Sequence, residues 1–432
     1  FIFKLELNLV EINNIKLHLL IFMTKEKFIE NKKALIVLIA ASVVVLISMG
    51  IRQCWGLFYQ YFETDLGFSR TQFGLAIAIQ MLFWGAFAPV FGFFADKYGG
   101  AKAVFIAFLI YIIGIYLVYI EPKSVFSFQL GLGLMIGIAL GGTAMSVPVS
   151  CVGKFFSNKN RTIATGIVTA TASFGYFLSP LFVQYSNPTY GWKNTLLFFI
   201  VFLIIGAITS FFLFKKEYVD ETNNSFTRDQ TASNALQEAF RHKGYLLLVA
   251  GFFVCGFQIT LVATHLPGYI QQKGLPDWTA AAILSLIGLF NIVGTLGMGY
   301  LSTKYSKKIL LSILYFSRGV ILILFIFTPP SVYMALTFGV VFGMLWLATV
   351  PPTNGIVAQI FGTKYLTTLF GIVFFSHQAG SFLGAYLGGY FYDQFGNYDY
   401  AWYLSILLSI FAGLVHLPID ENPVVRGKVT QA

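Results

Sequence analysis

The sequence predicts an all-α integral membrane protein, with twelve transmembrane helices arranged as two six-helix pseudo-repeats around a central cavity. Three observations carry this expectation. Hydrophobic residues make up 57% of the 432 residues and charged residues only 11%, whereas a soluble domain carries about 25% charged residues. Apolar runs of about 20 residues, enough to cross a hydrocarbon core, recur along the chain. Loop motifs of the first half return in the second at nearly one offset.

The elements follow in order. Residues 1–33 form an N-terminal tail. Within it, residues 1–22 have a mixed pattern and no A-x-A cleavage site, so they do not read as a signal peptide. With Met23 as the first methionine, they are expected to lie outside the native protein. A first six-helix bundle covers 34–214, with spans at roughly 34–61, 70–95, 102–120, 125–151, 162–185 and 194–214. Residues 215–243 are the longest polar stretch and read as a solvated cytoplasmic linker. The second bundle covers 244–419, with spans at 244–270, 279–302, 309–328, 331–356, 366–391 and 401–419, and 420–432 form a cytoplasmic tail.

Particular residues mark particular spans. Span 1 carries Arg52 and Gln53 ahead of Trp55-Gly56, and Glu63 and Asp65 mark its solvated outer rim. Span 7 is expected to break at Leu266-Pro267-Gly268, just after His265. Asn291 and Thr295 lie in span 8 and Arg318 midway along span 9. Pro351-Pro352, next to Asn354, point to a broken end of span 10. In span 11, His377-Gln378 stand beside Gly380, Gly384, Gly388 and Gly389, where backbones can approach closely. The 47 phenylalanines read as lipid-facing and packing surface. Cys54, Cys151 and Cys255 lack metal-ligand spacing and read as small buried hydrophobes.

The net charge of +10 is a topology signal. With both termini on the cytoplasmic side, 20 of the 28 Lys and Arg residues fall on that side. Only Arg70, Lys123, Lys193 and Lys273 fall on the other, as the positive-inside rule requires. A nucleic-acid surface is thereby excluded as the reason for the basic balance. G-x-S-x-G, Walker A and H-E-x-x-H motifs are absent, so no catalytic residues, metal or cofactor are expected and the chain does not read as an enzyme.

The halves repeat. Gly92-x3-Asp96-Lys97-Tyr98-Gly99, closed by Lys102, returns 207 residues later as Gly299-x3-Thr303-Lys304-Tyr305-Ser306. FFSNKNRTIATG (155–166) matches IFGTKYLTTLFG (360–371) at an offset of 205. Parallel six-helix repeats are a transporter architecture.

GFFADKYGGAK (92–102) resembles the loop signature of the major facilitator superfamily, G-x3-D-R/K-x-G-x-R/K-R/K, with Ala101 at the penultimate basic position. The resemblance implies turn roles for Gly92 and Gly99, basic positions at Lys97 and Lys102, and a part for Asp96 in locking the cytoplasmic side shut. Thr303 stands at the position of Asp96 in the second copy, so a weaker second lock is expected. Residues 50–76, 264–275, 286–301 and 374–393 resemble the monocarboxylate and oxalate–formate antiporter branch. That branch often has an Asp and, four residues later, an Arg in span 8. Here Asn291 and Thr295 occupy those places, so the branch's anion-binding arginine and proton-linked acid are missing there.

Arg52 and Arg318 lie inside apolar runs, and no Asp or Glu does. A charge at the bilayer centre costs about 2.5–3.5 kcal/mol on insertion scales, which makes such residues rare and usually functional. A guanidinium can grip a carboxylate with two hydrogen bonds. By resemblance, the first span of each half lines the cavity, which puts Arg52, or its neighbour Gln53, against substrate; the bland alternative is a structural strut. Span 9 is peripheral in this fold, so Arg318 is either a substrate contact or a strut holding backbone carbonyls. His265, in the repeat of span 1, is expected to look across at Arg52. His377 beside Gln378 is a second histidine able to hold a proton near neutral pH. Asn291, Thr295 and Gln258 complete the cavity candidates.

The function expected is secondary active transport of a small organic anion, a monocarboxylate or dicarboxylate, by alternating access. Coupling would be by proton symport or anion exchange. The partners implied are the anion, a proton and the lipid bilayer, with the chain working as a monomer in the inner or plasma membrane. The alternatives are an exporter of neutral hydrophobic compounds and, from other classes, a transporter-like sensor or a membrane enzyme.

Overall fold

The computed structural model describes residues 32–214, 231–362 and 364–424. The readings of residues 1–22 and of linker residues 215–230 lie outside the described residues. Among the described residues, twelve helices are long and apolar enough to cross a membrane. The first six are span 1 (Lys32–Gln53), span 2 (Arg70–Tyr98), span 3 (Gly100–Ile120), span 4 (Val125–Gly153), span 5 (Asn160–Tyr190) and span 6 (Trp192–Ser210). The second six are span 7 (Lys243–Gln272), span 8 (Trp278–Lys304), span 9 (Lys307–Phe327), span 10 (Val332–Phe361), span 11 (Leu366–Phe395) and span 12 (Asp399–His416). An even number of crossings returns the chain to the side it started from. We call that side the termini face and the opposite side the far face.

Four departures from the expected elements have local causes. Span 1 ends at Gln53 and continues as a 3-10 turn, Trp55–Phe58, and a short helix, Tyr59–Leu66. Span 7 does not break at Leu266-Pro267-Gly268. Pro267 stays inside the helix, and packing from neighbouring helices lets membrane helices tolerate the lost hydrogen bond. Span 10 breaks beside Pro351-Pro352, as expected, and span 4 breaks with it: one helix ends at Thr143 and the next begins at Ser146, and again one ends at Leu345 and the next begins at Val350. Ser146 and Val350 stand 204 residues apart, so the breaks obey the same repeat as the loops. Pro351 and Pro352 open the second helix of span 10, where the missing N–H groups are unpaired in any helix. Finally, the part of the linker that is described contains a helix, Ala232–Arg241, capped by the Thr231 side chain and resting on buried Ala235 and Ala239.

Each half has its own apolar core. The halves meet along two seams, span 2 against span 11 and span 5 against span 8. Glycines reveal how tight the seams are. A Cβ on Gly56 would lie 2.5 Å from the Ala263 carbonyl oxygen, on Gly74 2.4 Å from that of Ala385, and on Gly389 2.1 Å from that of Arg70. A Cβ on Gly288 would lie 2.5 Å from the amide nitrogen of Phe177. All four positions are toward the far face. Toward the termini face, a Cβ on Gly92, Gly166, Gly297, Gly299 or Gly371 would meet nothing within 4 Å. The seams are tight at these points and loosen toward the termini face, and beyond Gly288 the far ends of spans 5 and 8 line a small cavity between the halves with Gln184, Asn187 and Asp277.

Candidate functional site

Arg52 closes the last turn of the span 1 helix. Close glycine contacts fix that helix against span 5: a Cβ on Gly175 would lie 2.5 Å from the Leu46 carbonyl oxygen, and one on Gly50 2.3 Å from Ser179 Oγ. The Arg52 side chain is only 8% exposed. Its Nη2 donates to Met81 Sδ at 3.3 Å, and the guanidinium stands 5.0 Å from the Trp84 ring centre. Nε is buried and has no hydrogen-bond partner. Tyr111 and Tyr176, both buried, stand within electrostatic reach. Arg70–Glu63 and Lys154–Asp96 are ion pairs, and no carboxylate among the described residues is paired with Arg52. Beside it, Gln53 is 1% exposed and both its amide atoms lack partners.

A strip of side chains leads from this cation across the seam. The Trp84 ring lies 5.7 Å from Phe374 of span 11, and Phe374 stacks on His377 at 5.8 Å. His377 Nδ1 is 3.2 Å from Gln378 Oε1, while Gln378 Nε2 is buried without a partner. Gln378 also packs against the backbone of Gly85 in span 2. Arg52, His377 and Gln378 are thus joined by one aromatic bridge between the halves, and Gln53 is the chain neighbour of Arg52. Trp84, Met81, Tyr176 and Phe374 complete this group; sequence reasoning missed them because nothing local separates an aromatic beside a buried cation from one that only packs.

The other candidates are engaged elsewhere. His265 does not look across at Arg52: its Nε2 is 2.7 Å from the Ala385 carbonyl oxygen, and its ring lies against Tyr398 near the far face. Asn291 bolts the second seam. Its Nδ2 donates to Ser173 Oγ at 2.8 Å, and its Oδ1 accepts from the Leu347 amide at 2.9 Å and from Thr295 Oγ1 at 3.1 Å.

Arg318 is fully buried, and its guanidinium serves the break in span 10. Nε and Nη2 donate to the Leu345 carbonyl at 3.2 and 2.6 Å, and Nη2 also donates to that of Trp346. Nη1 donates to Gln258 Oε1 at 3.3 Å, and Gln258 is itself held by Ser405 and Ser409 of span 12. Broken helices leave orphan carbonyls, and here an arginine satisfies them. Its donors are thus taken up as those of a strut between spans 7, 9 and 10. Arg318→Gln is expected to destabilise the protein by about 3 kcal/mol, from two carbonyls stranded at roughly 1–3 kcal/mol each. Thermal unfolding in detergent measures the loss.

The loop after span 2 holds a real turn, with Gly99 at φ 100°. Asp96 accepts from Lys154 Nζ at 2.7 Å, a bond within one half. Lys97 lies over the Tyr98 ring, Lys102 is exposed, and Gly92 approaches nothing.

A second constellation closes the far face. Asp393, near the end of span 11, accepts from the backbone N–H of Arg70 at 3.2 Å and of Thr71 at 2.8 Å. The Arg70 side chain donates to the Tyr398 hydroxyl and, at 3.3 Å, to Glu63. Its guanidinium lies 3.5 Å from the Tyr392 ring centre. Burial pushes the Tyr398 hydroxyl well above the ordinary phenol range, against the pull of Arg70, so it stays protonated.

A family model described as Major Facilitator Superfamily matches residues 41–376. An MFS-type transporter of Bacillus subtilis is 24% identical over 364 residues, covering 80% of this chain and 84% of its own length. Monocarboxylate transporter 12-B of Danio rerio is 25% identical over 314 residues, which is 66% of this chain and 65% of that protein. A solved bacterial homologue of the human lysosomal transporter Spinster, in an inward-facing and unoccupied conformation, aligns with TM-score 0.72 at 14% identity. That alignment covers 90% of this chain and 98% of the other. At such identity the likeness is one of fold.

Proposed function

Because this chain belongs to the Major Facilitator Superfamily of membrane transporters, we propose that it carries a small organic anion of the monocarboxylate type across the cell membrane by alternating access. The observation that carries this reading is Arg52, a buried guanidinium with an unsatisfied Nε and no carboxylate partner among the described residues. A substrate carboxylate would supply the opposite charge and two acceptor oxygens for the guanidinium fork. Arg318 serves the span 10 break and Arg70 the far face, so one cation remains for the anion. A second substrate charge would enter the site without compensation, which favours monoanions over dianions. Trp84, Phe374 and Tyr176 offer apolar surface for the body of the substrate, and Gln53 and Gln378 offer unused amide groups.

With both termini cytoplasmic, as the loop charges suggest, the closed far face is the outer one and the loosened seams face the cytoplasm. The halves would rock about the strip joining Arg52 to His377. One chain contains both halves and both seams, so a monomer suffices. Proton symport would run through His377, while anion exchange would need no titratable group. Asp96, held by Lys154, would form its cytoplasmic lock only after the seams close on the termini side.

The test is counterflow in proteoliposomes with a panel of labelled carboxylates. Monocarboxylates are expected to exchange, and dicarboxylates of similar size to exchange poorly. Uptake driven by an imposed pH gradient alone identifies symport. Silence across all anions, with uptake of a neutral hydrophobic compound, would overturn the reading.

A further inference from the structure

We infer that Asp393 and Arg70 form a latch on the far face, a pair of positioning residues that sets how often the protein opens to that side. The argument starts from helix ends. Span 2 begins after Ser69, whose side chain accepts from the Gln72 amide and completes a capping box. A capping box leaves the N–H groups of the first two helical residues unpaired. Those are Arg70 and Thr71, and both donate to Asp393 from the other half of the molecule.

The charges are placed against their own helices. Asp393 sits in the last turn of span 11, where the helix dipole disfavours an anion. Arg70 is the first residue of span 2, where the dipole disfavours a cation. Asp393 gains its favourable partner only across the seam, at the start of span 2, while the Arg70 guanidinium adds Tyr392 and Tyr398, at the end of span 11 and beyond it, to the Glu63 of its own half. Glu63, in the same half as Arg70, can keep that cation company when the halves part. Asp393 has no such second partner among the described hydrogen bonds. The backbones meet at the same point, since a Cβ on Gly389 would strike the Arg70 carbonyl. These contacts stabilise the closed far face and do nothing for either half alone, which is what a latch requires.

The inference goes beyond the transport reading and can be read without any substrate. Thr64 and Gln272 are exposed, lie near the far face and belong to opposite halves. Cysteines placed there carry spin labels, and the three native cysteines are buried. Distances between the labels report the far face directly. Asn keeps one acceptor oxygen, so Asp393→Asn loses one of the two charge-assisted hydrogen bonds, roughly a 10- to 100-fold bias. Asp393→Asn is therefore expected to raise the ratio of far-open to far-closed molecules by about that factor, and Asp393→Glu to restore most of the closed population. Asp65→Asn is the control, because Asp65 accepts from Trp192 within one half. An unchanged distance distribution in folded Asp393→Asn overturns the latch, and so does an equal shift in Asp65→Asn. Failure of Asp393→Asn to accumulate as folded protein also overturns it, since a latch between preformed halves is not needed for folding. If the far face opens while no anion is ever carried, the latch stands and the transport reading falls.

Discussion

Arg52→Gln is expected to abolish carboxylate exchange while leaving the protein in the membrane at its usual level. Glutamine keeps a polar head of moderate length but removes the charge and the planar fork. Truncating one partner of a buried, hydrogen-bonded charge pair costs about 2–5 kcal/mol of binding. A loss of at least 30-fold in exchange is therefore expected at limiting substrate, about 2 kcal/mol by the usual conversion. Stability should move the other way. Arg52 has no carboxylate to lose, so the substitution strands no opposite charge and relieves the burial of an uncompensated cation. Detergent thermal unfolding should show equal or higher stability for Arg52→Gln, in contrast with Arg318→Gln. Arg52→Lys keeps the charge without the fork and should fall between. Wild-type exchange by a folded Arg52→Gln protein would remove the central claim.

The second large effect is expected at Gly288. A Cβ there would lie 2.5 Å from the Phe177 amide nitrogen and 2.6 Å from the Tyr176 carbonyl carbon, both backbone atoms of the other half. No side-chain rotation relieves such a clash, so Gly288→Val should keep the second seam from closing at the far face. Each half retains its own core, and the protein should still fold. Exchange is expected to fall by more than about tenfold, because a seam held open by even 1.4 kcal/mol is depleted of its closed form by that factor. The far-face label distance should lengthen with Asp393 intact. Gly256→Val makes the contrast. Its Cβ would meet the His377 carbonyl oxygen at 1.8 Å inside the second half, between spans 7 and 11. That seam never parts, so folded protein, rather than cycling, should be lost. Normal exchange by Gly288→Val would contradict a far face that must close at this point.

Much of the fold was legible because a membrane leaves a chain few choices. Twelve apolar runs and two loop repeats led to spans that agree with the observed helices to within a few residues, span 1 aside. The linker helix was hidden by polar composition, although Thr231 and the paired Ala235 and Ala239 were there to read. In the site, Arg52 stood out because a lone charge in an apolar run is costly wherever the fold takes it. Arg318 looked the same in sequence; only the meeting of spans 7, 9 and 10 shows that its donors go to carbonyls. His265 was misdirected by repeat logic, which maps backbone positions but not the direction of a ring. The Asp393 contact joins residues 322 and 323 positions apart and had no local signature as a pair. Its one trace was a charge at the wrong end of each helix.

The paired breaks in spans 4 and 10 carry a mechanical consequence. In the second half, the break is riveted by the Arg318 guanidinium to two successive carbonyls and by Asn291 to the Leu347 amide. In the first half, the matching break is held by neutral hydroxyls alone: Ser146 Oγ donates to the Gly141 carbonyl at 3.2 Å, and Thr143 Oγ1 shares a 2.7 Å hydrogen bond with Ser48 Oγ of span 1. Two repeats that look alike in sequence are therefore unequal springs. Under load the first half is the compliant one, bending at Ala144 and Met145, while the second moves as a stiff lever.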